Sequence, residues 1–568
     1  MKNNKLCVKL VHCGNRNIAN KKDSLQKNIF YIPMGMFALA ELLNRNCIDV
    51  EIIHTDLEMG HPIDKMFDLD NVDAIGIDCH WHNESLVAMD AARLIKNKRP
   101  DLFVFMGGYT VSFFAEEIMN EFTFIDAIIK GDAERPIVEL CQRLNEKKEK
   151  RGNENRHDFR GIPNLIWRDF ENVIHYNEQI YIANKSDLEF LDFAQVNLLR
   201  NWEFYKQLCR YSTKFAPINE SPLFFLEIGR GCIFNCKFCG GASVAQKCIN
   251  SRTHQVYRSI DSVIATIKKA MEFGYRCFYT CYDFEGSDEW FTSLFKEIKK
   301  EQLSISFGYG CWTLPSKELV DALSECAEQA IIEISPESGN LSIRMRNKDR
   351  RISYSNEAME KFIEYIAKTK NVKAELFFSY FLIDDTVDTV FETMRYIEKL
   401  YCKYSEWIEI FFDNLSTDPA SLLFLNPEKY NIHVDVQTFK DYLIQINAKY
   451  IEHDNHYLDM TLHRPKSLSY DDAAFLMKKI RLFTSIFLNF GEVILFLNKT
   501  GNYEHMVSDF IARYDKDTLP KTELSLNELR TTLNKMIQFN TYYSPDVYEI
   551  IEEEYGRSAK RRNIYQGF

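Results

Sequence analysis

Short apolar strands alternate with amphipathic helical stretches in two separate runs along this chain, and that alternation limits its fold more than any other feature. Over roughly the first 145 residues five strand candidates recur: Leu6 to His12 (LCVKLVH), Val50 to Asp56 (VEIIHTD), Ala74 to His80 (AIGIDCH), Leu102 to Gly108 (LFVFMGG) and Asp126 to Asp132 (DAIIKGD). Segments such as GMFALAELLNRN and ESLVAMDAARLIKNK lie between them, each long enough for a right-handed helical crossover. The pattern predicts an α/β, doubly wound (Rossmann-like) domain over residues 1–145. Ligands of such sheets bind at the carboxyl ends of the strands, which here offer His12, Asp56, Asp78, Cys79, His80, Gly107, Gly108, Gly131 and Asp132.

A second alternation runs from residue 223 to 425, with strand candidates FFLEIGRG, RCFYTCYDF, SISFGYG, AIIEISPES, AELFFSYFL and WIEIFFDNL. Six βα units suit a central partial (β/α)6 barrel better than a second open sheet. Residues 146–222, with a charged loop and the short β-like pieces IPNLIWRD and NVIHYN, read as a linker. Residues 426–568 read as a mainly helical C-terminal cap or substrate domain, carrying TFKDYLIQINAKYIE, DDAAFLMKKIRLF, SLNELRTTLNKMI and DVYEIIEEEYG.

Composition narrows the class of molecule. The 568 residues exceed one hydrophobic core, and a net charge of -12 disfavours broad nucleic-acid binding; the basic run RSAKRR (Arg557 to Arg562) is short and reads as a solvated tail. The N-terminus lacks the apolar region of a signal peptide, which predicts a cytoplasmic protein. The apolar stretch Leu482 to Asn498 is interrupted by Asn489, Gly491 and Glu492, so it reads as buried core and not as a membrane span. Fifteen cysteines without a secretion signal point to thiols that are buried, reactive or metal-bound.

Three of them stand in GRGCIFNCKFCGG, where Cys232, Cys236 and Cys239 have the spacing C-x3-C-x2-C directly after the first barrel strand. Three thiolates can hold three irons of a four-iron cluster and leave the fourth open. A structural zinc site, with Cys248 as its fourth ligand, is the competing reading. Cys277 and Cys281 share one face of the second barrel strand and read as packing, and Cys402 is the last cysteine, so auxiliary clusters are not expected.

The cysteine stretch resembles the radical S-adenosylmethionine (SAM) superfamily, including the aromatic Phe238 before the last cysteine. The resemblance implies a 4Fe-4S cluster whose open iron chelates the methionyl amine and carboxylate of SAM, and an external electron donor of flavodoxin or ferredoxin type. It implies further that Phe238, Gly240 and Gly241 lie beside SAM. The stretch Ile331 to Lys348 (IIEISPESGNLSIRMRNK) is similar to the family's Glu-Ser-Gly strand and would place Glu337, Ser338 and Arg344 at SAM. One departure is that Leu382-Ile-Asp-Asp385 stands where related sequences carry a Gly-x-Pro-Gly turn.

A doubly wound domain before such a barrel resembles the cobalamin-binding class of radical SAM enzymes. By that resemblance Asp78, Cys79, His80, Gly107, Gly108, Tyr109 and Gly131 would line cobalamin, with Gly107 and Gly108 leaving room for its nucleotide tail. The Asp-x-His-x-x-Gly signature that supplies a histidine to cobalt is missing from the loop HCGNRNIANKKDSLQKN, so a His-off cofactor is expected and His12, His80 and His82 are not expected to bind metal. The implied activity is methylation of an unactivated carbon, or of phosphorus, in a small-molecule or peptide natural product. The alternatives are a cobalamin-assisted rearrangement or cyclisation, a non-radical methyl transfer, or a vestigial cobalamin domain. Neither a nucleic-acid nor a membrane partner is expected.

Overall fold

The structure is a computed structural model that describes residues 5–14, 31–58, 60–150, 158–415, 417–451, 463–477, 479–481, 483–484 and 487. The first run of strands forms β1 (Cys7–His12), β2 (Asp49–His54), β3 (Ala74–Asp78), β4 (Phe103–Gly107) and β5 (Ala127–Ile129), parallel and in the order β2-β1-β3-β4-β5. Both faces are covered, because residues alternate along each strand. Val8, Leu10 and Ile52 pack with Phe37 and Leu140, whereas Val11, Ile53 and Ile77 pack on the other side with Val87, Ala91 and Ile118. The strand order reverses between β1 and β3, which opens a crevice at their carboxyl ends.

The sequence reading of 146–222 as a linker needs amendment. Two of its short pieces become β6 (Leu165–Arg168) and β7 (Ile174–Tyr176), which extend the same sheet, β6 antiparallel to β5 and β7 antiparallel to β6. Two short helices follow, Lys185–Phe190 and Trp202–Leu208.

The barrel begins at β8 (Leu223–Phe225); the small antiparallel pair β9 (Gly229–Arg230) and β10 (Val256–Tyr257) brackets the cysteine loop. Then come β11 (Cys277–Cys281), β12 (Ile305–Cys311), β13 (Ala327–Glu337), β14 (Val372–Tyr380) and β15 (Ile408–Asn414). All six strands run parallel in the order β8-β11-β12-β13-β14-β15. Right-handed crossovers between sequential neighbours put every helix on one side and leave the other face as a lumen. Helix starts are set locally: the hydroxyls of Ser259, Ser316, Ser355 and Thr386 each accept a first-turn N–H, worth about 1 kcal/mol apiece.

The C-terminal part is not wholly helical, since β16 (Ile432–Val434) pairs antiparallel with β17 (His463–Pro465). The helix Phe439–Ile451 follows the expected pattern, and its Phe439, Tyr442 and Ile446 pack on the second face of the first sheet. SLNELRTTLNKMI, DVYEIIEEEYG, RSAKRR and almost all of Leu482 to Asn498 lie outside the described residues. No helix among the described residues is long and apolar enough to cross a membrane.

Candidate active site

The three-cysteine loop leaves the barrel at β9 and is tied down by its backbone. Asn235 N–H donates to Asp349 Oδ2 at 3.0 Å, Lys237 N–H donates to the Asn347 carbonyl at 2.8 Å, and Leu423 N–H donates to the Lys237 carbonyl at 3.0 Å. Two further amides face sulfur, Phe234 N–H on Cys232 Sγ at 3.4 Å and Gly241 N–H on Cys239 Sγ at 3.3 Å. Burial pushes the Cys232 thiol up to about 11 and raises Cys236 and Cys239 as well, with the neighbouring sulfurs repelling one another's charge. A bound cation reverses that balance, since coordination deprotonates a thiol.

The spread of the sulfurs disfavours zinc. One tetrahedral Zn2+ needs sulfurs about 3.8 Å apart, from Zn–S bonds of about 2.3 Å. Among the described residues the trio of potential ligand atoms gathered within 4.8 Å is His12, Asp78 and Glu84, not the cysteines. Cys248 is exposed on the helix Ser243–Asn250. Wider spacing suits thiolates that each take a separate iron.

Glu337 ends β13 with a φ of 62° and is buried. Ser379 Oγ donates to its Oε2 at 3.2 Å, and Lys348 Nζ lies 3.8 Å from its Oε1. Burial raises its carboxyl, and the lysine and the hydroxyl only partly offset that. Glu337 and Lys348 both act electrostatically on Cys236, so the pair faces the cysteine loop. The sequence reading missed Lys348, although it ends the very stretch that carries Glu337.

Among the other expected SAM contacts, Arg344, Ser338 and Phe238 are engaged within the chain, whereas Gly240 and Gly241 lie in the cysteine loop. Arg344 spends its guanidinium on the chain itself, donating to the carbonyls of Pro336 (2.7 Å), Tyr354 (2.6 Å) and Ser338 (2.6 Å) and to Asn356 Oδ1 (2.7 Å). It fixes the turn that presents Glu337. Ser338 Oγ meets Thr393 Oγ1 at 3.0 Å and accepts Asn340 N–H, so it too is structural. Phe238 packs with Ile383, Leu423 and Ile432. Gly240 N–H donates to Asp418 Oδ2 at 3.1 Å, and a Cβ there would stand 2.6 Å from the Asp418 Cβ; a Cβ on Gly241 would meet Cys239 Sγ at 3.7 Å. The departing turn Leu382 to Asp385 closes on Asn347, whose Oδ1 accepts Ile383 N–H at 2.9 Å.

The carboxyl edge of the first sheet faces this loop. His82 Nδ1 lies 3.9 Å from Asp418 Oδ1, and Tyr109 packs against Ala245 and Ile249 of the helix that follows the cysteines. The Tyr109 hydroxyl is buried without a hydrogen-bond partner; burial first, then Cys239 and Asp418, push its pKa up. The His80 ring lies 5.8 Å from that of Tyr109. Ions hold the seam: Arg230 Nη1 pairs with Glu134 at 2.6 Å and Asp132 at 3.2 Å, and Arg252 Nη2 pairs with Asp132 at 2.5 Å.

Some expected cobalamin residues serve the domain's own packing. Cys79 is fully buried with Sγ toward Ser85 Oγ at 3.5 Å. Gly108 has a φ of 104°, and a Cβ there would lie 2.6 Å from the Cys79 backbone; it permits a close turn and leaves no open channel. At Gly107 the nearest atom to an added Cβ is the Ile129 carbonyl at 3.8 Å, so that position has space. Gly131 meets Asn250 across the seam. His12, the last residue of β1, is fully buried, its Nδ1 3.0 Å from Asp78 Oδ2 and its Nε2 3.7 Å from Glu84 Oε1.

Comparison with known proteins agrees with this architecture. The B12 binding domain family matches residues 30–141 and the Radical SAM superfamily matches residues 226–397. An uncharacterized methyltransferase of Pyrococcus horikoshii is 26% identical over 313 residues, covering 53% of this chain and 58% of its own length. The hopanoid C-3 methylase of Methylococcus capsulatus is 23% identical over 210 residues, 36% of this chain and 35% of that protein. The chain thus spans little more than half the length of the first of these relatives. Among solved structures, the radical S-adenosylmethionine methyltransferase TsrM of Kitasatospora setae, with cobalamin and a [4Fe-4S] cluster bound, shares the fold. It superposes with a TM-score of 0.53 at 14% identity, over 77% of this chain and 81% of that one. The two domains are thus matched in order, a B12-binding domain and then a radical SAM domain, with the sheet edge of the first facing the cysteine loop of the second.

Proposed function

We propose that the chain is a cobalamin-dependent radical SAM methyltransferase acting on an unactivated carbon, or on phosphorus, of a small-molecule or peptide natural product. The observation that carries this reading is the seam itself: His82 and Tyr109 of the first domain converge with Asp418, Gly240 and Cys239 on one space. The buried, unpartnered Tyr109 hydroxyl is a polar group awaiting a ligand there, which suits a cofactor between sheet edge and barrel mouth. When bound, the cluster with SAM supplies a hydrogen-abstracting radical and cobalamin carries the methyl group.

The chain's residues do the rest. Cys232, Cys236 and Cys239 bind iron, and the Glu337–Lys348 pair offers SAM a carboxylate and an ammonium side by side. Gly107 leaves space beside the cobalamin edge, and the buried His12 agrees with a cofactor without histidine ligation. The ion-paired seam between the two domains limits the access of water to the reacting groups. An electron enters from an external flavodoxin- or ferredoxin-type donor. The test is incubation of anaerobically reconstituted protein with methyl-labelled SAM, cobalamin and a candidate substrate. Label in the product together with 5'-deoxyadenosine supports radical methylation; a product without label would replace it by rearrangement or cyclisation.

A further inference from the structure

Below the mouth, the barrel wall carries an arrangement that iron and SAM binding do not explain. Glu333, Glu375 and Glu409 stand in register on the adjacent parallel strands β13, β14 and β15, so the three carboxylates form one row on the lumen face. Tyr279 Oη donates to Glu333 Oε2 at 2.8 Å, and Tyr211 Oη donates to its Oε1. Thr213 Oγ1 and Lys214 N–H donate to Glu409 Oε2 at 2.9 and 2.6 Å. Glu375 is 1% exposed, and its Oε1 has no hydrogen-bond partner.

Among the described residues no cation answers this charge. The groups that act on Glu333 and Glu375 are each other, Glu409 and neutral hydroxyls. The nearby lysines turn away, Lys214 Nζ to the Ser405 carbonyl at 2.8 Å and Lys373 Nζ to the Glu406 carbonyl at 2.9 Å. Burial, then repulsion by Glu333, pushes Glu375 up to about 9, and a positive ligand beside it would favour its charged form. A buried carboxylate oxygen without a partner is costly, and Glu375 Oε1 is one, which points to a ligand that would supply the missing donor.

The space around the row is built. β12 places Gly310 in register beside Glu333 and Gly308 one step below, and Tyr211, Tyr279 and Cys281 fill the room their side chains would take. Cys281, at the end of β11, is exposed. One step above the acids, Phe377 and Phe411 stack at 4.7 Å with planes 8° apart. One step higher, Ser379 donates to Glu337 beside the cysteine loop. We propose that the lumen recognises a substrate with a cationic nitrogen, an ammonium, amidinium or guanidinium group seated on Glu333 and Glu375, and a planar apolar body against Phe377 and Phe411. This rests on the reading of the barrel mouth as the reaction site.

Benzamidine and its uncharged isostere benzamide test it directly, titrated calorimetrically into the reconstituted holoprotein at equal ionic strength. Benzamidine is expected to bind at least tenfold more tightly than benzamide. Glu375→Gln and Glu333→Gln should each abolish most of that preference while iron content and SAM affinity stay unchanged. Equal binding of the two probes by the wild-type protein, or stronger binding of benzoate, overturns the proposal without need of any variant. Preference retained in Glu375→Gln with native iron content overturns the assignment to this row. Methyl transfer is read separately: a product without label removes the methyltransferase reading and leaves the charge preference standing.

Discussion

Asp418 clasps Gly240 from 178 residues away, accepting its N–H at 3.1 Å while its own Cβ occupies the place a Gly240 side chain would need. The same carboxylate faces His82, so one residue after β15 joins the cysteine loop to the edge of the first sheet. Gly240→Ala must push the 418–419 backbone aside, at a cost of about 1–3 kcal/mol. A lowered unfolding temperature is expected, together with weaker SAM binding by equilibrium dialysis. In a Gly240→Ala, Asp418→Gly pair the two losses should be less than additive, because the clash disappears.

Alanine at Cys232, Cys236 or Cys239 should strip the cluster. Anaerobically reconstituted wild-type protein is expected to hold about four irons, and each variant to lose them together with the charge-transfer absorbance. Stoichiometric zinc with no iron would contradict the assignment.

Lys348→Met leaves Glu337 buried with a single hydroxyl donor. Breaking a buried pair from one side costs about 3–5 kcal/mol, and removing both charges costs far less. Lys348→Met should therefore melt well below wild type, and Glu337→Gln, Lys348→Met should recover most of the loss. Glu337→Gln alone should keep its iron and bind SAM at least tenfold more weakly.

Asp385 gives a pH test. Burial raises its carboxyl to about 7, although Thr389 Oγ1 and the amide of Leu382 both donate to it. The folded chain thus binds this proton more tightly than the unfolded chain. Its contribution to stability is intact below about pH 4 and is lost as pH rises through 7. Asp385→Asn should remove that slope, which melting curves from pH 4 to 8 can read.

The strands and the cysteine loop were legible because their signals are local: alternation of apolar residues for the former, spacing for the latter. The β-like pieces that form β6 and β7 were visible too, but not their place in the first sheet, since pieces of four and three residues carry no sign of their partners: β6 pairs with β5 and β7 with β6. Arg344 shows the limit for single residues. Its charge is visible in sequence, but the four acceptors that consume it are assembled by the turn around it. Asp418 carried no signal at all, because its partners come from two other parts of the chain.

The glycines of β12 have a consequence for how such a chamber could diversify. Gly308 and Gly310 contribute no walls of their own; the bore is set by rings and a thiol leaning in from Tyr211, Tyr279 and Cys281. Trimming one of those side chains enlarges the chamber by a whole ring without disturbing a single strand-to-strand hydrogen bond. The calibre of the barrel is an adjustable fitting on a fixed frame, and Tyr279→Ala is the smallest step by which a descendant of this chain could admit a bulkier guest.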